Sequence, residues 1–333
     1  MTPASTKFMA VVKADGYGHG AIEIADVAVA NGVDYLGVAW VVEAVQLREA
    51  GIKAPILILS EPTINVAADI VRLDVTQTVY SFQFAKALSD AAQQLNKTAK
   101  VHVKIDTGMG RIGVNKNEAV SLIEQIDTLD NIEIEGIFTH FANADEKTNE
   151  HTSEQLKEFN EILDLLVENG FTFPIIHAAN TAATENFPNA HFNMVRVGIG
   201  LYKDVLTFKS KIAYIKRVKE GTLLSYGSTF SPSHDTNIAT LSVGYADGLV
   251  RSLSNIGHVL INEKRYNIVG RICMDMTLVN LGDDVYPVGQ EVVLIGQQGD
   301  NHIDVTEVAS QANTIDYEIL CGIGKRVNRI YIN

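Results

Sequence analysis

The chain has 333 residues, of which 27 are basic and 40 are acidic, and its formal net charge at pH 7 is −13. An excess of acidic residues of this size argues against nucleic acid and anionic membranes as partners. The length exceeds the roughly 250–300 residues at which a single hydrophobic core stops growing, so we expect two domains.

Apolar runs and cysteines exclude further classes. Runs such as residues 56–59 are far shorter than the ~20 residues that a helix needs to cross a bilayer, so no membrane partner is expected. Cys273 and Cys321 have neither the number nor the spacing of a disulfide framework or a zinc site. These features predict a reduced, cytoplasmic protein without a structural metal.

Short apolar runs alternate with helical segments from the start of the chain to about residue 203. Eight strands are predicted, at residues 8–13, 35–38, 56–60, 75–80, 101–106, 134–140, 174–177 and 194–198. Segments with helical spacing of apolar residues lie at 21–31, 41–51, 83–95, 118–127 and 153–168. Eight strand–helix units favour an α/β fold, a closed (β/α)8 barrel of the TIM type, over an open sheet.

The pattern changes after Leu206 to short β-rich runs separated by turn residues. Strands are predicted at 239–243, 259–261, 266–269, 277–280 and 291–295, with helical pieces at 304–311 and 317–322. The sequence therefore predicts a barrel domain over residues 1–205 and a mostly β C-terminal domain over residues 206–333.

Polar side chains concentrate at the C-terminal ends of the predicted barrel strands, where such barrels have their active sites. They are Lys13 on the first strand, Lys104, Asp106 and Arg111 at the fifth, His140 at the sixth, His177 and Asn180 at the seventh, and Arg196 on the eighth. Each residue alone could be a solvated lysine or a hydrogen-bonded core histidine. The convergence of several strand ends on one rim favours a site.

Lys13 ends an apolar strand, and an amine held among apolar residues loses its proton more easily and can form a Schiff base with a carbonyl cofactor. Pyridoxal phosphate is the leading candidate, because it needs a phosphate cradle and a partner for its ring nitrogen. The available groups are the backbone amides of Val197-Gly198-Ile199-Gly200, the hydroxyls of Tyr17 and Tyr317, and the guanidinium of Arg196. The sequence has no dinucleotide fingerprint or P-loop that would favour a nucleotide.

Nine sequence blocks carry a resemblance to a known family. They are VVKADGYGHG, KIDTGMGRIGV, THFANADE, HAANTAAT, VRVGIGLY, LSYGSTF, VGYADG, VGRICMD and TIDYEILCGIGKRV, in this order from Val11 to Val327. In these blocks the chain resembles bacterial alanine racemase. The resemblance implies a barrel plus a β-domain, pyridoxal phosphate on Lys13, and a homodimer in which each active site takes residues from the partner's β-domain. It also implies interconversion of L-alanine and D-alanine, which supplies D-alanine for cell-wall peptidoglycan.

The resemblance also implies residue roles. Lys13 would act on the α-proton of D-alanine, and Tyr226, arriving from the partner subunit, would act on L-alanine. From the sequence alone, Tyr226 is more simply a half-buried strand tyrosine. The other implied roles are cofactor binding by Tyr17, His140, Asn180, Thr181, Arg196, Gly198, Ile199 and Tyr317, substrate binding by Arg111 and the backbone of Met274, carbamylation of Lys104, and a substrate entryway of Asp145, His177, Tyr245, Arg251 and Arg271. For the entryway residues a simple surface role is an equal alternative.

Two features qualify the resemblance. An arginine at Arg196 is permanently charged and cannot give a proton to the ring nitrogen, which makes the cofactor a weaker electron sink and suits reversible proton transfer. The family normally carries a strand and a helix before the lysine strand, whereas seven residues precede Phe8 here. Either the sequence starts late or one flank of the barrel is bare.

Alternatives from other classes remain. One is a non-catalytic pyridoxal-phosphate-binding barrel protein, although such proteins lack the β-domain that supplies Tyr226 and Met274. Another is a cofactor-free barrel whose β-domain binds sugars or partners. Within the enzyme class, a serine racemase or a racemase of broad specificity is the runner-up, because the sequence does not give the size of the substrate pocket.

Overall fold

The computed structural model describes residues 5–332. Within them the chain forms two compact units. The first comprises the chain up to Gly16 and the span Gly20–Leu201, and the second comprises Tyr17–His19 and the chain from Tyr202 onward. Each unit has its own hydrophobic core.

The first unit alternates strands with helices. Its strands are β1 (Lys7–Val11), β2 (Tyr35–Val38), β3 (Ile56–Ile58), β4 (Thr76–Val79), β5 (Ala99–Asp106), β6 (Val114–Asn115), β7 (Ile132–Phe138), β8 (Ile175–His177) and β9 (Met194–Val197). Its helices are α1 (Ala21–Ala30), α2 (Val41–Glu49), α3 (Ala67–Leu73), α4 (Phe82–Gln94), α5 (Lys116–Asp127), α6 (Glu150–Glu168) and α7 (Thr181–Asn186). A short left-handed turn, Lys13–Tyr17, follows β1.

Eight parallel strands close into a ring in the order β1-β2-β3-β4-β5-β7-β8-β9, with β9 paired back onto β1. Strands β2 and β3 are buried along their whole length, as expected for parallel strands covered on both faces. The predicted (β/α)8 barrel is therefore confirmed, and its eight predicted strands are all present.

Several local features of this unit differ from the sequence prediction, including the two-residue strand β6, which was not predicted. Strand β1 ends at Val11 rather than at Lys13, because Lys13 already belongs to the left-handed turn. Helix α3 was not predicted, since its seven residues include the charged Asp69 and Arg72 and are too few to show a clear period. Helix α7 was also missed and is only six residues long.

The second unit is mostly β, as predicted. Its strands are β10 (Phe208–Val218), β11 (Thr236–Leu241), β12 (His258–Ile261), β13 (Lys264–Val269), β14 (Thr277–Gly282), β15 (Glu291–Gln298) and β16 (Asn301–Ile303), and its helices are α8 (Val305–Ala312) and α9 (Asp316–Cys321). Six strands form a closed antiparallel ring, β10-β11-β14-β13-β12-β15, in which β15 also pairs with β10. Among residues 5–332, no helix combines the length and the apolar character needed to cross a membrane.

Candidate active site

The backbone after Lys13 is left-handed. The φ angles are 53° at Ala14, 55° at Asp15, 60° at Gly16 and 52° at Tyr17. This conformation costs each L-residue roughly 1–2 kcal/mol. The turn therefore needs support from its surroundings. Glu43 Oε1 accepts a hydrogen bond from the N–H of Ala14 at 2.6 Å, and Asp15 Oδ1 accepts one from the N–H of Ala21 at 2.9 Å. Backbone strain of this kind clusters at functional sites, and here it immediately follows the half-buried Lys13.

Arg196 near the end of β9 is 4% exposed. Its Nη1 donates to Nδ1 of His177 at 2.9 Å, and its Nη2 lies 3.0 Å from Nδ1 of His140 and from the carbonyl oxygens of Thr139 and Ala178. None of its hydrogen bonds to residues 5–332 uses Nε. Burial lowers the pKa of Arg196 to about 9, so the guanidinium stays charged at neutral pH.

Lys104 in β5 is 3% exposed, and its Nζ lies 5.7 Å from the centroid of the Phe138 ring. Burial and then the charges of Arg111, Arg196 and Lys13 lower the pKa of Lys104 to about 7. A large part of this amine is therefore neutral at neutral pH. Arg111, Arg196 and Lys13 are close enough to Lys104 for their charges to lower its pKa. The structure therefore brings these four side chains together at the C-terminal rim of the barrel, as the sequence predicted.

His140 lies two residues beyond β7, and its Nδ1 accepts the hydrogen bond from Arg196 Nη2 described above. Burial and the charges of Arg196 and Lys104 lower the pKa of His140 well below its ordinary value, so the ring is neutral.

Arg111 is exposed on the loop after β5. That loop is shaped by Asp106, whose Oδ1 accepts hydrogen bonds from the amides of residues 108 and 110 at 3.1 and 3.0 Å.

The glycine-containing turn after β9 packs against Thr181. Thr181 Oγ1 accepts hydrogen bonds from the amides of Gly198 at 3.0 Å and Gly200 at 3.4 Å. A Cβ placed on Gly200 would lie 2.7 Å from the methyl group of Thr181, so only glycine allows this approach. Ile199 begins a short 3-10 turn here. Asn180 Oδ1 accepts from the N–H of Ala183 at 2.9 Å and caps helix α7, which is a structural task that the sequence analysis did not assign to it.

Tyr17 and Tyr317, both predicted to contact a cofactor phosphate, lie together in the second unit. Their ring centroids are 6.0 Å apart, and the Tyr17 ring also stacks on Tyr202 with centroids 4.8 Å apart. The backbone carbonyl of Gly18 accepts hydrogen bonds from the guanidinium of Arg329 at 3.0 and 3.2 Å. Burial raises the pKa of Tyr17, which keeps its hydroxyl protonated.

Tyr226 occupies a second strained turn, in the second unit. It lies in the 3-10 turn Tyr226–Ser228 and is 70% exposed, so the simpler expectation of a half-buried strand tyrosine is wrong. The preceding Ser225 has φ 64° and ψ 177°, a conformation that is natural only to glycine. Ser225 Oγ donates to the carbonyl of Arg271 at 2.7 Å, and the Arg271 guanidinium packs against Gly227, where a Cβ would lie 3.1 Å from Cζ.

The remaining predicted residues divide into exposed and buried positions. Asp145, Tyr245, Arg251, Arg271 and Met274 are exposed, and the carbonyl oxygen of Met274 accepts from the N–H of Ala246 at 3.1 Å. His177 differs, because it is 0% exposed and contacts Arg196 and His102 inside the barrel. The structure therefore places His177 in the barrel interior and not at an entryway.

Two interior residues that contact this histidine system were missed. His102 Nδ1 lies 2.8 Å from His177 Nε2, and His102 Nε2 lies 3.3 Å from Glu135 Oε2. The strand period could have identified His102, since it is two residues from Lys104 and therefore shares its strand face. No such signal identifies Glu135. Among the described residues, no group of His, Cys, Asp and Glu side chains is arranged to hold a metal ion.

The fold and the site define a class of protein: a parallel (β/α)8 barrel followed by a closed antiparallel β-domain, with buried cations and a lysine on a strained turn at the C-terminal rim of the barrel. The model of the alanine racemase N-terminal domain matches residues 1–205, and the model of the alanine racemase C-terminal domain matches residues 205–331. This chain belongs to the alanine racemase family, whose members are isomerases.

Individual relatives agree with this membership. Alanine racemase 1 of Oceanobacillus iheyensis is 44% identical, over 98% of this chain and 92% of its own length. The solved alanine racemase of Clostridium difficile 630 is 40% identical, with a TM-score of 0.94 over 99% of this chain and 90% of that chain. The alanine racemase of Bartonella henselae, solved with covalently bound pyridoxal phosphate, is 30% identical, with a TM-score of 0.89 over 99% of this chain and 93% of that chain.

Proposed function

We propose that this chain is a pyridoxal-phosphate-dependent alanine racemase that works in the cytoplasm as a homodimer and supplies D-alanine for peptidoglycan. In this proposal residues 1–205 bind the cofactor and residues 206–333 contribute to the active site of the partner subunit. The observation that carries the proposal is the half-buried Lys13 on its left-handed turn, among cations that include the fully buried Arg196. Family membership identifies the reaction for which such a site is suited.

The side chains present fit the proposed cofactor. Thr181 Oγ1 accepts from the amides of Gly198 and Gly200, so the hydroxyl of Thr181 has its own proton left to donate to a phosphate oxygen. Asn180 has its Nδ2 left for a further contact, since its hydrogen bond to the backbone uses Oδ1. Arg196 has Nε left for a ring nitrogen, because its other bonds use Nη1 and Nη2. Tyr17, Tyr317 and Ile199 complete the proposed phosphate contacts.

Pyridoxal phosphate supplies a carbonyl that joins covalently to an amine and a ring that withdraws electrons from Cα. Lys13 Nζ would hold the cofactor covalently and, once displaced by the substrate amine, would take or return the proton on the face of Cα that leads to D-alanine. The phenol of Tyr226, from the partner subunit, takes or returns the proton on the opposite face. Two groups are needed because one rigid base cannot readily reach both faces of a planar carbon.

Arg196 limits the electron withdrawal. Its charge is held by the backbone carbonyls of Thr139 and Ala178 and by two neutral imidazoles, with no carboxylate of residues 5–332 in ion-pair contact. A guanidinium cannot pass its proton to a ring nitrogen. Arg196 would therefore hold the cofactor as a weak electron sink, which would favour return of the proton over side reactions.

Arg111 and the backbone of Met274 are proposed to bind the substrate carboxylate, for which a guanidinium is well suited. Lys104 is proposed as the site of carbamylation. Only a neutral amine attacks carbon dioxide, and its pKa of about 7 makes that form available. The reaction forms an N–C bond, releases one proton and leaves an anion that can orient Arg111. Asp145, Tyr245, Arg251 and Arg271 remain candidates for the substrate entryway.

The test of this function has two parts. The chain incubated with pyridoxal phosphate and L-alanine should bring the optical rotation to zero, and Lys13→Ala should not. Borohydride reduction followed by peptide mapping should place the cofactor on the peptide that contains Lys13, with the Lys104 peptide as the internal control. Label on the Lys104 peptide would overturn the assignment of Lys13. Label on Lys13 without racemisation would identify a non-catalytic cofactor-binding barrel.

A further inference from the structure

A row of hydrogen-bonded side chains runs through the interior of the barrel from Arg196 to Glu135. Arg196 Nη1 lies 2.9 Å from Nδ1 of His177, His177 Nε2 lies 2.8 Å from Nδ1 of His102, and His102 Nε2 lies 3.3 Å from Oε2 of Glu135. Both imidazoles are completely buried. We call these four residues the interior chain. The proposed proton transfers do not use its far half, His102 and Glu135.

The chemistry of the two ends fixes the direction of every hydrogen bond in the interior chain. A guanidinium can only donate, so Nδ1 of His177 accepts and its ring proton lies on Nε2. That proton is donated to Nδ1 of His102, whose own proton therefore lies on Nε2 and is donated to Glu135. Burial lowers the pKa of both histidines, which keeps each ring neutral with a single proton.

Glu135 is held as a carboxylate by donors. Oε2 also accepts from the hydroxyl of Tyr35 at 2.8 Å and from Thr76 Oγ1 at 3.1 Å, and Oε1 accepts from the amine of Lys100 at 2.8 Å. Burial raises the pKa of Glu135, but the hydrogen bonds from His102, Lys100 and Tyr35 outweigh it and lower the pKa to about 2. Since all four neighbours donate, a group at this position must accept with both of its oxygens.

Two backbone features build this arrangement. The pairing of β5 with β7 steps from Val101 opposite Ile134 to His102 opposite Gly136, so Glu135 is the extra residue of a β-bulge. Bulges commonly redirect a side chain. At Gly136 a Cβ would lie 2.8 Å from Cε1 and 2.9 Å from Nδ1 of His102, so glycine makes room for that ring. The bulge and the glycine together allow the His102–Glu135 contact.

We propose that Glu135 is a positioning residue for Arg196, and that it acts by fixing the proton of both interior histidines on Nε2. His177 then always presents an unprotonated Nδ1 to the guanidinium, which is held in one orientation at the catalytic rim. The functional part of this inference rests on the proposed role of Arg196 beside the cofactor ring. The assignment of the two protons does not.

The first measurement is the tautomeric state of the ring nitrogens in the purified full-length protein labelled with ¹⁵N-histidine. Long-range ¹H–¹⁵N correlation spectra should show His102 and His177 as neutral rings protonated on Nε2. Single His→Gln variants, one at each of these two positions, assign the signals. A proton on Nδ1 of His177 in the wild-type protein would overturn the proposal, whatever the variants do.

The second measurement uses Glu135→Gln, which keeps the shape but replaces one accepting oxygen with a donating amide. The new amide can donate to Nε2 of His102, which opposes the donation from Arg196 at the other end of the interior chain. We therefore expect mixed tautomers at both histidines and a fall in kcat of roughly tenfold, because the guanidinium loses its fixed orientation. Lys100→Met is the matched control. It removes a partner of Oε1 and leaves Oε2 in contact with His102, so the tautomers should stay on Nε2 and kcat should stay within about twofold.

The outcomes separate the two proposals. If the folded Glu135→Gln variant kept the wild-type tautomers, the proposal that Glu135 fixes the ring protons of the interior chain would be overturned. Mixed tautomers with wild-type kcat would overturn the positioning of Arg196. Wild-type protein with the expected tautomers but without racemase activity would refute the proposed function and leave the role of Glu135 in fixing the protons intact.

Discussion

Two turns of this chain share an unusual backbone and differ in what supports it. The turn after Lys13 has three non-glycine residues with positive φ and is held by Glu43, whose carboxylate accepts from the amide of Ala14. The turn that carries Tyr226 has Ser225 in a glycine-like conformation and is held by one hydroxyl hydrogen bond to the carbonyl of Arg271. Lys13 is half-buried, whereas Tyr226 is 70% exposed.

Strained turns therefore orient the two proposed proton-transfer groups in different surroundings. The first is held from inside its own unit, beside buried cations. The second projects from its unit, as its proposed contribution to the site of a partner subunit requires. The following predictions test each side of this comparison.

The largest effect should come from removing Lys13 in one variant and the Tyr226 hydroxyl in another. Lys13→Ala and Tyr226→Phe should each be nearly inactive, because each removes one of the two proposed proton-transfer groups. If the partner subunit supplies Tyr226, unfolding the two variants together and refolding the mixture should restore roughly a quarter of the wild-type activity. Random pairing makes half of the dimers mixed, and each mixed dimer has one intact site of two.

Mass spectrometry of the intact assemblies is the control for this experiment, since it shows whether mixed dimers formed. Activity no higher than the average of the two variants, in the presence of mixed dimers, would mean that both residues serve a site within one chain.

Lys104 lies near the first turn. Burial lowers its pKa, and so do nearby charges that include Lys13. Between about pH 7 and pH 10.5 the unfolded chain binds the Lys104 proton and the folded chain does not, so stability rises with pH. Relative to Lys104→Met, the free energy of unfolding of the wild type should rise by about 1.4 kcal/mol per pH unit in this window.

Urea unfolding at pH 7, 8 and 9 in bicarbonate-free buffer measures this slope. Lys157→Met, at an exposed position of α6, is the matched control and should unfold with the pH dependence of the wild type. Parallel pH profiles for the wild type and Lys104→Met would show that Lys104 is not a desolvated cation.

The support of the first turn can be removed at Glu43. Its carboxylate also accepts from the amides of Ala39 at 2.6 Å and Trp40 at 3.1 Å, so Glu43→Ala leaves three N–H groups without their acceptor. We expect a loss of about 1–3 kcal/mol in the free energy of unfolding, together with a lower kcat. Glu49→Ala, at the exposed end of the same helix, should leave both quantities nearly unchanged. Equal effects of the two variants would contradict the role given to Glu43.

The smallest effect isolates the strain of the second turn. Ser225→Ala and Ser225→Gly both lose the hydroxyl hydrogen bond, but only glycine relieves the backbone conformation. Ser225→Gly should therefore be more stable than Ser225→Ala by about 1 kcal/mol in denaturant unfolding. Both variants should reduce kcat, since Tyr226 is held less firmly. A Ser225→Ala variant as stable as Ser225→Gly would show that this turn stores no strain.

Most of the fold could be predicted because buried parallel strands are short, apolar and evenly spaced. All eight barrel strands are recognisable in this way, as are five strands of the second unit. Strand β10 was missed because a register shift between Ile212 and Tyr214 breaks its alternation, and several lysines interrupt its apolar residues. Helix α3 was missed because it is too short to establish a period.

The site could be predicted less completely. Lys13, Lys104 and Arg196 were identifiable because charged residues at the ends of apolar strands are conspicuous. The left-handed turn was not, since Ala14 and Asp15 give no local signal for positive φ. Glu135 was hidden for a similar reason, because a β-bulge changes the direction of a side chain without changing the hydrophobic pattern.

The left-handed turn also has a stereochemical consequence. A helical turn with φ near +55° and ψ near +48° is the mirror image of an ordinary α-helical turn, and it is the conformation that D-residues prefer. Ala14 and Asp15 are thus two L-residues in a conformation that suits residues of the opposite hand. A semisynthetic protein with D-alanine at position 14 would adopt this backbone without the conformational cost that L-alanine bears there. If the proposed function is correct, this D-amino acid, which suits the backbone beside Lys13, is also a product of the enzyme.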